Sequence, residues 1–403
     1  MNSNCLSRRG VQPAHTLAPT SGSPGPAFVL RNARAVFPQA VRAVSIFVRD
    51  GLIQRIGATL LTPGHTIDCE GDLVLPGLIE PHTDNIERHL EPRPGTFWSA
   101  DRAILSHDAE MASAGITTAF DAVTLGNDIS QGPMQSTYRD VIGATVAARA
   151  GGLLRIDHEL HLRCELSSPR MLEQLESALA QRIPRLISLM DHTPGQGQWA
   201  NLERFRKHYI RRYGLGPEQL DALVAQRREA RVKFGGSNRQ VALEFARKHR
   251  CILASHDDAT QANVEQAHMD TCCIAEFPTS LEAARTARER GMHVIAGAPN
   301  LVRGGSHSGN VAAAVLAQEG LCDILSSDYC PSSLLQAVFE LARICHLPLP
   351  AAVATVTSTP ARALGLFDRG DIEEGKRADL VRVRDTPGGP IVVSAWCAGR
   401  QVA

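Results

Sequence analysis

The sequence predicts an α/β protein built around a parallel (β/α)8 barrel, and three observations carry that expectation. Eight apolar stretches read as strands: one closing at residues 82–84, then 116–122, 154–166, 186–190, 251–255, 273–277, 293–296 and 323–326. Helix-like stretches separate them, as βα units in a parallel sheet require. Nearly every strand ends on a metal-ligand residue type, and strand C-terminal ends are where a barrel enzyme keeps its chemistry.

The first strand organises the rest. Leu73-Val74-Leu75-Pro76-Gly77-Leu78-Ile79-Glu80-Pro81-His82-Thr83-Asp84 is an apolar run, broken at Pro-Gly, that closes on a His-x-Asp pair. Side chains two apart on a strand point the same way. His82 and Asp84 therefore project together at ligand spacing, and imidazole with carboxylate suits Zn, Mn or Fe. A strand that merely ends in polar residues has the same spacing. The apolar run ahead of the pair favours the ligand reading.

Residues 157–165 alternate charged Asp157, Glu159, His161, Arg163 and Glu165 against a mostly apolar set. In a barrel that charged face points into the mouth, where buried charge needs partners or a metal. Glu165 is a candidate ligand, and Arg163 stands to orient it or to meet phosphate. His192, in Met190-Asp191-His192-Thr193-Pro194-Gly195, and His256, in Ala254-Ser255-His256-Asp257-Asp258, supply further imidazoles. Counting back from Asp328 makes His256 a fifth-strand residue and puts Glu276 at the sixth strand end as a further candidate. His192 then falls one strand early.

Helix signals fit between the strands. Thr279-x-x-Glu282 reads as a capping box, with Gly291 as the stop. Residues 199–250 read as an Arg- and Lys-rich helical insertion. Its segments 199–213 and 217–233 precede a Gly235-Gly236-Ser237 turn flanked by Lys233 and Arg239.

A chain of 403 residues can bury a barrel-sized core plus a small accessory domain. The expected division is a leader over 1–26, β-rich segments over 27–70 and 367–403, and the barrel over 71–366. Arg49-Asp50-Gly51 marks a hairpin turn in the first β segment. The formal net charge is zero, so no global field attracts nucleic acid or an acidic membrane. The 10 cysteines are scattered, which reads as reduced thiols and a cytoplasmic location. No run approaches the ~18 apolar residues of a membrane span.

The Leu-Pro-Gly-Leu-Ile run into His82 resembles the opening strand of the amidohydrolase superfamily, with Asp84 where its second His is usual. Gly375-Lys376-Arg377-Ala378-Asp379-Leu380-Val381 resembles that superfamily's C-terminal phrase. The resemblance implies a small β-sandwich joined from both chain ends, and one or two divalent ions, zinc first with Mn or Fe as alternatives. It also implies that Asp328 both touches the metal and acts as general base. Glu165 would stand where many relatives carry a carboxylated lysine.

The blocks 84–95, 190–198 and 300–310 resemble one branch, which acts on ribose 1-methylphosphonate 5-triphosphate in phosphonate breakdown. The implied reaction releases pyrophosphate and leaves the 5-phosphate. Arg88, His89 and Arg93, together with Arg303, Gly304, Gly305 and His307 of a Gly/Ser loop, are then the expected anion-binding groups. The expected partner is this phosphorylated sugar phosphonate, with self-association left open. Two rivals are an amidohydrolase acting on a cyclic amide or amine (dihydroorotase-like or deaminase-like) and a catalytically inactive scaffold.

Overall fold

The computed structural model describes residues 25–60, 64–126, 137–306 and 309–403. Most of the leader expected over 1–26, and His307 of the expected anion loop, lie outside the described residues. Five strands come first: β1 (Phe28–Val36), β2 (Val41–Arg49), β3 (Leu52–Gly57), β4 (His65–Asp68) and β5 (Leu73–Pro76). The next eight are β6 (Leu78–Thr83), β7 (Ile116–Leu125), β8 (Asp157–Glu165), β9 (Leu186–Met190), β10 (Ile252–His256), β11 (Ile274–Glu276), β12 (His293–Gly297) and β13 (Ile324–Ser326). The last three are β14 (Leu380–Thr386), β15 (Gly389–Cys397) and β16 (Arg400–Gln401).

Strands β6 to β13 pair in sequence order, each parallel to its neighbour. A parallel bridge between Thr83 and Asp328 joins the two ends of the row. All eight strands read from the sequence are present. Both chain ends build the other sheet, in the order β16-β15-β14-β5-β1-β2-β3 with β4 also on β1.

Alternation decides which side each end-sheet residue faces. Val74 and Leu380 pack with Phe28, Leu30, Ile46, Ile53 and Trp396 in that sheet's own core. Their neighbours Leu73, Leu75, Val381 and Val383 turn the other way, onto Met111 and Ile116 of the barrel. The stretch 73–84 thus serves two sheets. Gly77 is the joint, because a Cβ there would stand 2.2 Å from Thr117 Oγ1 and 2.9 Å from Asp379 Cβ. The hairpin at Asp50-Gly51 has positive φ at both residues, 54° and 76°, as a tight I′ turn needs.

Two local expectations are corrected. The helix Leu281–Glu289 is capped by Ser280, whose side chain accepts from the Ala283 amide, one residue later than the Thr279 box. Glu282 instead accepts from the Gln261 amide. Gly291 does follow the helix in the left-handed region, at φ 75°. No turn interrupts residues 233–239: the helix Pro217–His249 runs through Gly235 and Gly236. Each glycine costs about 1 kcal/mol in a helix. Buried Ala242 and Ala246 offset that cost, as does Asn238 donating to the carbonyls of Leu166 and Ser168. Eight described cysteines carry free thiols.

Charge is buried at the barrel floor. Asp157, at the N-terminal end of β8, accepts from Arg369 Nη1 at 2.6 Å and from Arg377 Nη1. Arg377 also donates to Asp379 at 2.9 Å, and Arg369 to Thr118 at 2.9 Å. Burial would raise the Asp157 carboxyl, but the two guanidinium groups outweigh it and hold it well below the usual range. This cluster ties the C-terminal segment to the barrel. Removing one member of a buried ion pair strands its partners, at a cost of about 3–5 kcal/mol. Asp157→Asn should lower unfolding free energy by that amount in urea titration, and a change under about 1 kcal/mol would show the cluster to be ornamental.

Candidate active site

The C-terminal ends of the barrel strands surround a cavity of about 270 Å³ whose wall includes His82, Asp84, Arg163, His256, Asp257 and Asp328. They arrive from four strands. His82 lies one residue before the end of β6 and Asp84 follows that strand; Arg163 is on the inward face of β8. His256 closes β10 and Asp257 follows at φ 56°. Asp328 follows β13, also with positive φ, at 54°.

Glu276, the last residue of β11, lies at the centre of the cluster. Its Oε2 is 3.2 Å from His82 Nδ1 and 3.0 Å from His256 Nδ1, and its Oε1 is 3.5 Å from His161 Nε2. Ser188 on β9 donates to it at 2.7 Å and meets His161 Nε2 at 2.5 Å. Burial alone would raise the Glu276 carboxyl. His82 and His161 outweigh that and hold it well below the usual carboxylate range. Burial keeps His161 neutral, down to about 3, and lowers His256 as well. Neutral imidazoles are the form that binds a metal.

A second group adjoins the first. His192 Nδ1 is 3.0 Å from Glu165 Oε2, and its Nε2 is 3.5 Å from Asp257 Oδ2. Burial opposes charge on that ring, but the Asp257 and Glu165 carboxylates outweigh it and push it up to about 9. Asp257 also lies 3.4 Å from His256 Nε2. At the first-to-last seam, burial and then the nearby Asp84 carboxylate push Asp328 up to about 7.

Two sets of side chains could hold a cation: His82 with His161 and Glu276, and His192 with His256 and Asp257. The donor set fits a borderline divalent ion such as Zn, Mn or Fe. Unsatisfied atoms support the fit. Among the described residues, the buried His82 Nδ1, His161 Nδ1, His192 Nε2 and Glu276 Oε1 lack hydrogen-bond partners. His82 Nδ1 is near Glu276 but not aligned with it for a hydrogen bond.

Of the residues expected from the sequence, the fold brings His82, Asp84, His192, His256 and Asp328 to the mouth, with Glu276 among them. Glu165 takes a different place. It accepts from the His192 backbone amide at 3.2 Å and from Ser167 at 2.6 Å, so it orients His192 from behind. His161 and Asp257 were not singled out as ligands. His161 was visible on the charged face of 157–165, and Asp257 beside His256, but nothing in the spacing separated them from their neighbours.

The expected anion groups lie elsewhere. Arg88 Nη1 is 3.3 Å, and His89 Nε2 2.8 Å, from Glu110, which ties both to the helix Ala100–Ser113. Arg93, Arg303 and Gly304 are exposed, and Gly305 is half-buried. None of these lines the cavity, whereas Asn300, Ser306 and Asn310 of the same Gly/Ser loop do.

A separate buried cluster lies between β7, β8 and the helix Ala100–Ser113. His158 sits between two carboxylates, with Nδ1 2.9 Å from Asp121 and Nε2 3.3 Å from Asp108. His107 Nε2 is 3.0 Å from Asp121. Burial works against a charged ring, but Asp121 and Asp108 outweigh it and push His158 up to about 10. Its folded value lies above the ordinary 6.5, so the stabilisation is complete below that pH and is lost as pH rises through about 10. Urea unfolding should show a loss of up to about 1.4 kcal/mol per pH unit across that window from this one proton. His158→Gln should remove that component. A slope unchanged in the variant would assign it to other groups.

Comparison with known proteins agrees with this geometry. Residues 212–402 match the sequence model of the amidohydrolase family. The alpha-D-ribose 1-methylphosphonate 5-triphosphate diphosphatase of Escherichia coli K12 is 43% identical over 376 residues, covering 93% of this chain and 100% of that protein. Imidazolonepropionase of Deinococcus deserti is 25% identical, covering 89% of this chain and 92% of its own. The crystal structure of N-isopropylammelide isopropylaminohydrolase from Burkholderia multivorans superposes with a TM-score of 0.63 at 17% identity, over 93% of this chain and 97% of that one.

Proposed function

The chain belongs to the amidohydrolase family, and from that premise we propose that it hydrolyses alpha-D-ribose 1-methylphosphonate 5-triphosphate to the 5-phosphate and pyrophosphate. The observation that carries this reading is full-length likeness, at 43% identity, to a protein named for that diphosphatase activity. The imidazolonepropionase likeness, at 25%, does not favour a cyclic-amide substrate over it. An inactive scaffold is disfavoured because the mouth keeps its imidazoles and carboxylates.

His82, His256, Glu276 and Asp328, with His161, His192, Asp257 and Asp84 beside them, are the groups that would hold one or two divalent ions. When bound, the ion supplies Lewis acidity to water and to a phosphoryl oxygen. Asp328 takes the proton of the attacking water. Ser188 and Glu165 hold the rings of His161 and His192 in place. Attack at the α-phosphorus then expels pyrophosphate. A cytoplasmic site of action suits a triphosphate substrate, and among the described residues no helix is long and apolar enough to cross a membrane.

Two measurements test the reading. Hydrolysis in oxygen-labelled water should give pyrophosphate as the first inorganic product, with label in the sugar monophosphate. Orthophosphate as sole primary product, or turnover of a cyclic amide without turnover of the triphosphate, would overturn it. Chelation should abolish activity, and His82→Ala should lose bound metal. Asp328→Asn should lower kcat by about 10²–10⁴, the range for removing a general base, while weakening substrate binding less.

A further inference from the structure

The inward face of β8 holds five polar side chains, and four of them keep a close charged or hydrogen-bonding partner, although Asp157 Oδ1, Glu159 Oε1 and His161 Nδ1 are left without one. Asp157 binds Arg369 and Arg377, and Glu159 binds Arg182 at 2.9 Å. His161 meets Ser188 and Glu276, and Glu165 meets His192. Arg163 differs. Its Nη2 stands 3.1 Å from His256 Nε2, its Nη1 lies 3.5 Å from Asp84 Oδ2, and its buried Nε has no partner.

A guanidinium carries five donors in a rigid fork that matches two oxygens of a carboxylate or phosphate. The floor arginines use theirs: Arg369 reaches Asp157, Thr118 and Asp368. Arg163 is mostly buried, with 13% of its side chain exposed, and has no bidentate anion. Burying such a charge is costly unless an anion completes it. The guanidinium faces the cavity shared with His82, His256 and Asp328, and among the described residues of that wall it is the sole Arg or Lys. It contacts His256 at Nε2, the nitrogen not turned toward Glu276. A cation taking that lone pair would displace the guanidinium from it and turn its donors into the cavity.

We propose that Arg163 is the residue that binds the reacting end of the triphosphate, holding phosphoryl oxygens over the metal-ligand cluster. This rests on the proposed function, and it moves anion recognition from the Arg88 and Arg303 loops to the barrel interior. The ligand class is a polyphosphate with adjacent non-bridging oxygens.

The test uses the purified full chain with its native metal and inorganic pyrophosphate as probe, read by calorimetry, with metal content measured on the same samples. Arg163→Ala should weaken pyrophosphate binding about 10- to 100-fold, the usual span for losing a charge-assisted contact. Metal content should stay at the wild-type level. Arg163→Lys should recover part of the affinity, because it keeps the charge and loses the fork. Wild-type pyrophosphate affinity in Arg163→Ala would overturn the proposal. So would loss of metal from that variant with affinity restored on adding metal back, since Arg163 would then only hold the ligands together. A wild-type chain that binds pyrophosphate through Arg163 yet does not hydrolyse the triphosphate would uphold this inference and refute the diphosphatase reading.

Discussion

The Glu80 carboxylate holds the barrel shut. It is wholly buried on β6 and accepts from Ser326 Oγ at 2.7 Å, the Ser327 amide at 2.5 Å and the His82 amide at 2.8 Å. Ser326 Oγ also stands 2.7 Å from the His82 carbonyl, and Thr83 donates to the Asp328 carbonyl at 2.7 Å. These side-chain bonds stand where β6 and β13 share only one backbone bridge. Both flanks of the seam carry chemistry. His82 and Asp84 continue from one side and Asp328 from the other, so the bonds that close the ring also set the spacing between ligand and base.

A single strand shows how the interior is layered. At period two, β8 places Asp157 on the floor, His161 at mid-barrel against Glu276, and Arg163 at the mouth. The floor layer is a balanced salt cluster, built for adhesion between the barrel and the C-terminal segment. The middle layer sets the imidazoles of His82 and His161 against the Glu276 carboxylate and leaves ligand atoms unsatisfied. Buried polar groups are seldom left so. Structural burial and functional readiness are therefore separated along one strand, by four residues or about 13 Å from Asp157 to His161 and by two residues or about 7 Å from His161 to Arg163.

Sequence pattern carried the strands because a barrel interior imposes period two, and it carried His82, His256 and Asp328 because they end those strands. The position of Glu276 was readable once β11 was counted as the sixth strand. The neighbours of other residues depended on contacts between distant parts of the chain. Arg88 and His89 follow β6 as a phosphate-binding segment should, yet Glu110 on the next helix claims both. Glu165 ends its strand like a ligand, but the following strand brings the His192 amide onto it. Gly235-Gly236 has the local signature of a turn, and the packing of Ala242, Ala246 and Asn238 overrides it. In each case local chemistry named the residue correctly and tertiary contact chose its partner.

Charge balance explains why this site and its cations belong together. The described cavity wall carries the carboxylates of Asp84, Asp257 and Asp328 against the guanidinium of Arg163, with the Glu276 carboxylate just behind. That excess of negative charge is felt by Asp328, which burial and Asp84 push up to about 7. A triphosphate, itself several times negative, would be repelled from such a wall. Divalent cations held by the imidazoles and carboxylates would reverse the sign of the field, lower Asp328 again and leave the guanidinium as an added donor. The same carboxylates that would exclude the substrate from the bare protein are thus the groups that collect the charge needed to admit it. Anion recognition in this barrel need not rely on a broad basic surface, which agrees with a chain whose formal net charge is zero.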